Sequence, residues 1–377
     1  MATTLLVTND FPPRIGGIES FAAEVCRLLD QDVVVYTSGP PGAAATDGDR
    51  GYPVVRDGGL LLPTPRVRAR AVQLLHEHGC SRVVFGAAAP LGLLAPALRR
   101  AGASSIVGLT HGHEVWWASL PGSRTALRRI GDGCDHLTTI SDYTSGRIAP
   151  ALSPTGRAGL RRLSPPVDTD HFRPDPDRAV APHSRGRCVA VGRFVPQKGF
   201  GTLLRAWRMV LDQRLALDSR PAGLPELVLV GDGPHRAELE RQVDRLALTG
   251  TVRLTGPLGR DQVLAELQRA DVFALPVRTR WWGLNPEGLG LAALEAAACG
   301  LPVVVGRSGG APETARPSET GYVLDPDDVA GWAGRISALL ADRDQARAMG
   351  LRGRAYVLER FGLEAARTSL RAALRLG

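Results

Sequence analysis

Apolar positions along this chain fall into two alternating rhythms. Short runs rich in Val, Ile and Leu are separated by longer stretches whose apolar residues repeat every three or four positions. The runs read as buried strands and the longer stretches as amphipathic helices. Residues 4–8 predict a first strand, residues 9–17 a loop, and Ile18, Phe21, Ala22, Val25, Leu28 and Leu29 a helix. Further strands are predicted at 32–37, 82–86, 104–110 and 136–140. After a break the pattern restarts, with strands at 188–192, 226–231, 251–256, 271–276, 302–306 and 321–324 and helices from about 328 onward. Strand and helix alternating in this way predict an α/β fold of two Rossmann-like domains facing each other across an interdomain cleft.

The break is a proline-rich stretch at 164–177, and 377 residues are more than one core usually supports. The expected domains are 1–165 and 166–362, with a last helix at about 363–377 crossing back onto the first. Composition is that of a globular enzyme, 44% apolar and 22% charged, with no apolar run of membrane-spanning length. The first strand begins almost at residue 1 without a basic leader, so a cytoplasmic protein is expected. Five scattered cysteines form neither a disulfide ladder nor a zinc pattern, and Cys299 reads as a packing residue.

The net charge of +8 points to anionic partners. Arginines cluster at 66/68/70, 124/128/129 and 157/161/162, but no aromatic-interleaved basic strip accompanies them, so nucleic acid is not expected. One count changes the picture: 45 of the 46 basic residues are arginine, and Lys198 is the only lysine. A compact ammonium and a planar guanidinium are not interchangeable where a point charge meets phosphate in a tight space.

Candidate chemistry gathers on loops that follow predicted strands, where α/β sheets place their ligands. Gly16-Gly17 opens the first helix; it is either a tight turn or a close approach to a phosphate or sugar, and it is not a dinucleotide fingerprint. His111, in Thr110-His-Gly-His-Glu114, follows a strand end without zinc-ligand spacing, and reads as a hydrogen-bonding residue at a cleft or one satisfied by backbone. Asp168-Thr-Asp170 follows two prolines rather than a strand, so it is assigned to turn capping and not to a metal. Arg193 and Lys198 lie together on the loop after the strand at 188–192. Gly283 to Gly300 reads as a glycine-rich turn, Gly288-Leu289-Gly290, feeding a helix N-terminus suited to an anion. Glu287 lies on that turn. Glu295 lies in the helix, on a face without other charge, either salt-bridged to an arginine or reserved for a ligand.

Taken together, Gly16-Gly17, His111, Arg193 with Lys198, and Glu287 separated by seven residues from Glu295 resemble the retaining glycosyltransferases of the GT-B fold, family 4, over essentially the whole chain. Each of these elements is weak alone; the set in this order and spacing, with Glu287 and Glu295 as E-x7-E, carries the resemblance. Within the family, Leu6 to Arg14, Phe85 to Pro90, Thr110 to Glu114, Arg128 to Gly133, Val167 to Asp170 and Ser308 to Thr314 are most similar to actinobacterial GDP-mannose-dependent mannosyltransferases acting on phosphatidylinositol mannosides. Trp281-Trp282, Pro286 and Trp116-Trp117 depart from that pattern in loops expected to border the sugar and acceptor.

The resemblance implies an acceptor-binding first domain and a nucleotide-sugar-binding second. It implies that Arg193, Lys198, Gly16, Gly17, Leu289 and Gly290 hold the diphosphate. His111, Glu287, Gly288 and Leu289 would hold the transferred sugar, and Glu295 the ribose. No cofactor or metal is implied; a nucleotide sugar, best matched to GDP-mannose, is the donor, and a glycolipid or small molecule the acceptor. A lipid acceptor would bring the arginine clusters to an anionic membrane surface, with the protein peripheral on its cytoplasmic face. The alternatives are a transferase using another nucleotide sugar on a soluble natural product, a nucleotide-sugar epimerase, and a non-catalytic sugar-nucleotide-binding protein.

Overall fold

The computed structural model describes residues 3–14, 16–39, 47–48, 50–176, 186–217, 223–280, 283 and 285–375. It divides into two compact units, Met1–Pro166 with Leu363–Gly377, and Val167–Gly362.

In the first unit, β1 (Thr4–Thr8), β2 (Val33–Ser38), β3 (Val54–Asp57), β4 (Arg82–Phe85), β5 (Ser105–Leu109), β6 (His136–Thr139) and β7 (Leu160–Arg162) form one parallel sheet. Their order is β3-β2-β1-β4-β5-β6-β7, so strand order reverses between β1 and β4. Helices bury both faces, which is why strands such as β1, β4 and β5 are largely apolar. On one face the helix Pro65–Glu77, capped by the Thr64 hydroxyl with proline at its first turn, buries Val67, Ala71, Leu74 and Leu75. On the other, Phe21, Ala22 and Val25 of the helix Gly17–Leu28 pack with Ala366, Leu370 and Ala373 of the C-terminal helix Leu363–Ala373. Arg367 pairs with Asp30 at 2.7 Å beside that contact.

The second unit repeats the plan with β8 (Arg187–Val191), β9 (Glu226–Val230), β10 (Val252–Leu254), β11 (Val272–Leu275), β12 (Val303–Gly306) and β13 (Gly321–Leu324). They too form a parallel sheet, ordered β10-β9-β8-β11-β12-β13, and order reverses between β8 and β11. In a doubly wound sheet the loops at such a reversal diverge and leave a crevice at the carboxyl ends of the strands. The loops carrying Lys198 and Glu287 follow β8 and β11 respectively.

The stretch predicted as a linker is well structured at its start. Val167 N–H donates to Phe361 O at 2.7 Å, and Asp168 Oδ1 accepts from His171 N–H at 3.1 Å. Asp168 also pairs with Arg260 at 3.0 Å, in keeping with its assignment to turn capping. All five cysteines are buried free thiols, and burial pushes Cys299 up to about 12, as a packing residue requires.

Candidate active site

On the second unit, Lys198 ends a short 3-10 turn, Pro196–Lys198, after β8. Gly199 then takes φ +71° and lies so close to the Pro276 carbonyl that a side chain would collide with it. Only glycine fits both demands, and the contact brings the β8 loop against the chain leaving β11. The result is an ion pair, Lys198 Nζ to Glu287 Oε2 at 2.7 Å. Both side chains are largely sheltered, 21% and 13% exposed.

Glu287 is fixed from behind. Its N–H donates to Ser308 Oγ at 3.2 Å and its carbonyl accepts from Gly310 N–H at 2.9 Å. Gly309, at φ +54°, has no room for a Cβ against the same carbonyl. Gln197 and Asn285 exchange side-chain amide hydrogen bonds at 3.1 and 3.4 Å, a second tie between the loops. Arg193 is exposed and has no ion-pair partner among the described residues.

The helix Leu291–Ala298 starts at Gly290, whose φ of 103° turns the chain into it. Its sequence is built from alanine and leucine, the strongest helix formers, and it buries all but one edge. Glu295 is on that edge, half-buried. Its sequence allowed an arginine partner, and the structure gives it none: no ion pair to Glu295 forms among the described residues. Arg260 acts on it only at a distance, being paired with Asp168. Burial pushes the Glu295 carboxyl up to about 7, and Arg260 opposes the shift. A sheltered carboxylate with no ion-pair partner among the described residues is a candidate for ligand hydroxyls.

On the first unit, His111 follows β5, next to the β1/β4 reversal. Its Nε2 bonds the Gly86 carbonyl after β4. A carbonyl only accepts, so Nε2 carries the proton; burial holds the ring below its ordinary pKa, against the pull of Glu114, and keeps it neutral. Nδ1 is then an acceptor, and no described residue donates to it. The ring is held edge-on by Phe21 at 5.8 Å. One end of the predicted histidine is thus satisfied by backbone while the other stays free.

Glu114 closes the histidine stretch, and its part in the site was not legible in the sequence as a ligand-binding one. It is 0% exposed, and Oε2 accepts from the His111 and Gly112 N–H groups at 2.9 and 3.2 Å. Its Oε1 lies 3.2 Å from His113 Nε2. This carboxylate closes the turn and sets the backbone from which His111 projects. The signal was present in the sequence: an acid three residues beyond a loop histidine, opening a helix, is a capping pattern.

Gly16 precedes the helix Gly17–Leu28 with extended backbone, and Gly17 is open to solvent. The Glu19 carboxylate folds back over Gly16. Trp281 and Trp282 lie outside the described residues. Trp116 is 39% exposed, and Trp117 packs on the first unit's core.

Sequence comparison decides the family. Residues 15–171 match Glycosyltransferase Family 4, and residues 174–356 match Glycosyl transferases group 1. A GDP-mannose-dependent alpha-(1-6)-phosphatidylinositol monomannoside mannosyltransferase of Mycobacterium tuberculosis is 45% identical over 371 residues, 95% of this chain and 94% of its own. The chain belongs to the family 4 glycosyltransferases. A Corynebacterium glutamicum relative, named for mannosyl transfer to monoacylated phosphatidylinositol monomannoside, is 39% identical over 94% of this glycosyltransferase and 93% of itself. Among solved structures, Anabaena Alr3699/HepE with UDP and glucose superimposes with a TM-score of 0.78 at 17% identity over all of both chains. Sucrose-phosphate synthase from Thermosynechococcus elongatus gives 0.78 at 21% over 99% and 98%. These likenesses establish the GT-B fold for this glycosyltransferase.

Proposed function

We propose that this glycosyltransferase moves mannose from GDP-mannose to a hydroxyl of a phosphatidylinositol mannoside. The reading rests on 45% identity, sustained over 95% of the chain, to proteins named for that reaction. The site chemistry agrees with it. Arg193 and Lys198 hold the donor diphosphate, with the N–H groups of Gly288, Leu289 and Gly290. The Lys198 ammonium has three donors, so Glu287 can orient it while the others meet phosphate. Glu287 accepts from hydroxyls of the hexose, Glu295 from the ribose, and His111 Nδ1 from the 6-hydroxyl. Gly16 and Gly17 admit the β-phosphate.

In the transfer, the bond between the sugar's C1 and the phosphate oxygen breaks as the acceptor oxygen bonds C1 from the same face. The acceptor's proton passes to the departing phosphate oxygen. The anomeric configuration is retained, and the fixed cations neutralise the leaving group in place of a metal.

Mass spectrometry of products from GDP-mannose and UDP-sugars, with phosphatidylinositol mannoside and soluble acceptors, tests the reading. The expected result is mannosylated lipid plus GDP, unchanged by a chelator and absent without acceptor. Transfer from UDP-sugars alone, or sugar release without any acceptor, would sink it. A second reading, transfer to a ring-rich soluble acceptor, is favoured by exposed Trp116, 5.3 Å from Trp117.

No helix among the described residues is long and apolar enough to cross a membrane. We place the protein in the cytoplasm, peripheral on an anionic bilayer. Leu120, 51% exposed, precedes the helix Pro121–Gly133, where Arg128 and Arg129 are exposed and without ion pairs among the described residues. Of the cluster at 66/68/70, Arg66 and Arg70 are paired with Asp57 and Glu77, so that cluster contributes less charge than its sequence implies. Each basic residue near an anionic surface contributes about 1 kcal/mol, so Arg124→Glu/Arg128→Glu/Arg129→Glu is expected to weaken binding to phosphatidylinositol-rich vesicles roughly 100-fold. Binding that ignores both salt and these charges, measured by vesicle sedimentation, would refute the surface.

A further inference from the structure

The carboxyl ends of β11, β12 and β13 deliver charged side chains to one place. Arg278 follows β11, Arg307 follows β12, and Asp325 and Asp327 follow β13. With Arg280 they line an open cavity of about 570 Å³. It lies at the same carboxyl edge of the sheet as Lys198 and Glu287, the ligand-binding side of a parallel sheet. The Arg278 N–H donates to Gln197 O at 2.8 Å, which ties the cavity wall to the Lys198 loop.

The wall carries both signs of charge. Arg278 is committed: its guanidinium donates to Thr202 Oγ1 at 2.5 Å and lies 3.2 Å from Asp327. Its Nε is buried without a partner. Arg280 and Arg307 are exposed and have no ion pair among the described residues. Two uncommitted planar guanidiniums suit a phosphate. Asp325 and Asp327 can only accept, and so suit hydroxyls. A bare anion would engage only the guanidiniums; a ligand bearing both phosphate and hydroxyls engages the carboxylates as well.

We propose that this cavity binds the phosphorylated polyol of the acceptor, its phosphate on Arg280 and Arg307 and its ring hydroxyls on Asp325 and Asp327. The proposal rests on the reading that the acceptor is a phosphatidylinositol mannoside, and it places part of acceptor recognition on the unit that carries Lys198 and Glu287.

Calorimetric titration of the full chain with inositol 1-phosphate, inorganic phosphate and inositol tests it. Inositol 1-phosphate should bind saturably, phosphate at least ~10-fold more weakly and inositol not measurably, since hydrogen bonds to charged groups carry the affinity. Arg280→Ala/Arg307→Ala should weaken inositol 1-phosphate at least ~10-fold, and Asp325→Asn/Asp327→Asn should weaken it too, with GDP affinity unchanged. In turnover, the arginine variant should raise KM for the glycolipid and leave the donor KM alone. No saturable binding, or equal binding by wild type and the arginine variant, overturns the proposal. Phosphate binding as tightly as inositol 1-phosphate, indifferent to the aspartate changes, overturns it as well. Binding is read without turnover, so the two readings fail separately. If inositol 1-phosphate binds here and no mannose reaches the lipid, the proposed function fails and the cavity stands; if transfer proceeds with a KM these variants do not move, the cavity fails alone.

Discussion

Lys198→Ala is expected to lower kcat/KM for sugar transfer at least ~100-fold while leaving the fold intact, because a preorganised cation at a leaving phosphate contributes a few kcal/mol in the transition state. The variant loses more than a charge. With the ammonium gone from its place 2.7 Å away, the sheltered Glu287 carboxylate faces the incoming diphosphate without a counter-ion. Lys198→Arg should rescue little, since a broad planar guanidinium does not replace a compact ammonium 2.7 Å from Glu287. The chain also supplies an independent readout. Lys198 is its only lysine, so an amine-acylating reagent can modify that side chain and the α-amino group alone. Saturating GDP-mannose should protect the side chain, as measured by peptide mass spectrometry. A folded Lys198→Ala protein within about threefold of wild-type turnover would refute the role.

Glu295→Gln is expected to weaken GDP binding about 10- to 100-fold, the range set by hydrogen bonds to a charged acceptor. The effect should depend on pH in a definite direction. With the carboxyl raised to about 7, the free site is largely protonated at pH 6 and largely ionised at pH 8. Ribose hydroxyls bond the ionised form better, so wild-type affinity should rise with pH through 7. The variant should keep only the step belonging to GDP's own phosphate. Stability runs the other way. A folded-state value above the unfolded one stabilises the fold at low pH and loses that contribution as pH rises through 7. Glu295→Gln should therefore melt no lower than wild type at pH 8, which separates a binding defect from a folding one. Equal GDP affinity and equal pH dependence in the two proteins, by calorimetry, would contradict the assignment.

How far these residues could be read from sequence follows from the range over which each interaction acts. Ile18 to Leu29 declared a helix because one face of it is apolar, and β1, β4, β5, β8, β11 and β12 declared themselves because both faces are buried. Two edge strands went unread. β3 is half-exposed along its length, and β7 carries Arg161 and Arg162, so neither has the apolar run that marks an inner strand. Arg162 of the third basic cluster turned out to pair with Asp142. The E-x7-E spacing placed Glu287 on a turn and Glu295 in a helix by local chemistry alone. That Lys198 touches Glu287 was not legible: the two are 89 residues apart and meet only through the sheet. Nor was the choice between a paired and an unpaired Glu295, which depended on Arg260 being drawn to Asp168.

The helix Leu363–Ala373 supplies Ala366, Leu370 and Ala373 to the core above Phe21 and Val25, although Val167–Gly362 separates it in sequence from everything it covers. A protease nick or a premature stop near residue 362 would therefore uncap the half of the molecule made first and spare the half made last. A carboxypeptidase time course followed by tryptic footprinting should register that inversion as early cleavage within residues 17–28, with the strands from β8 onward still resistant.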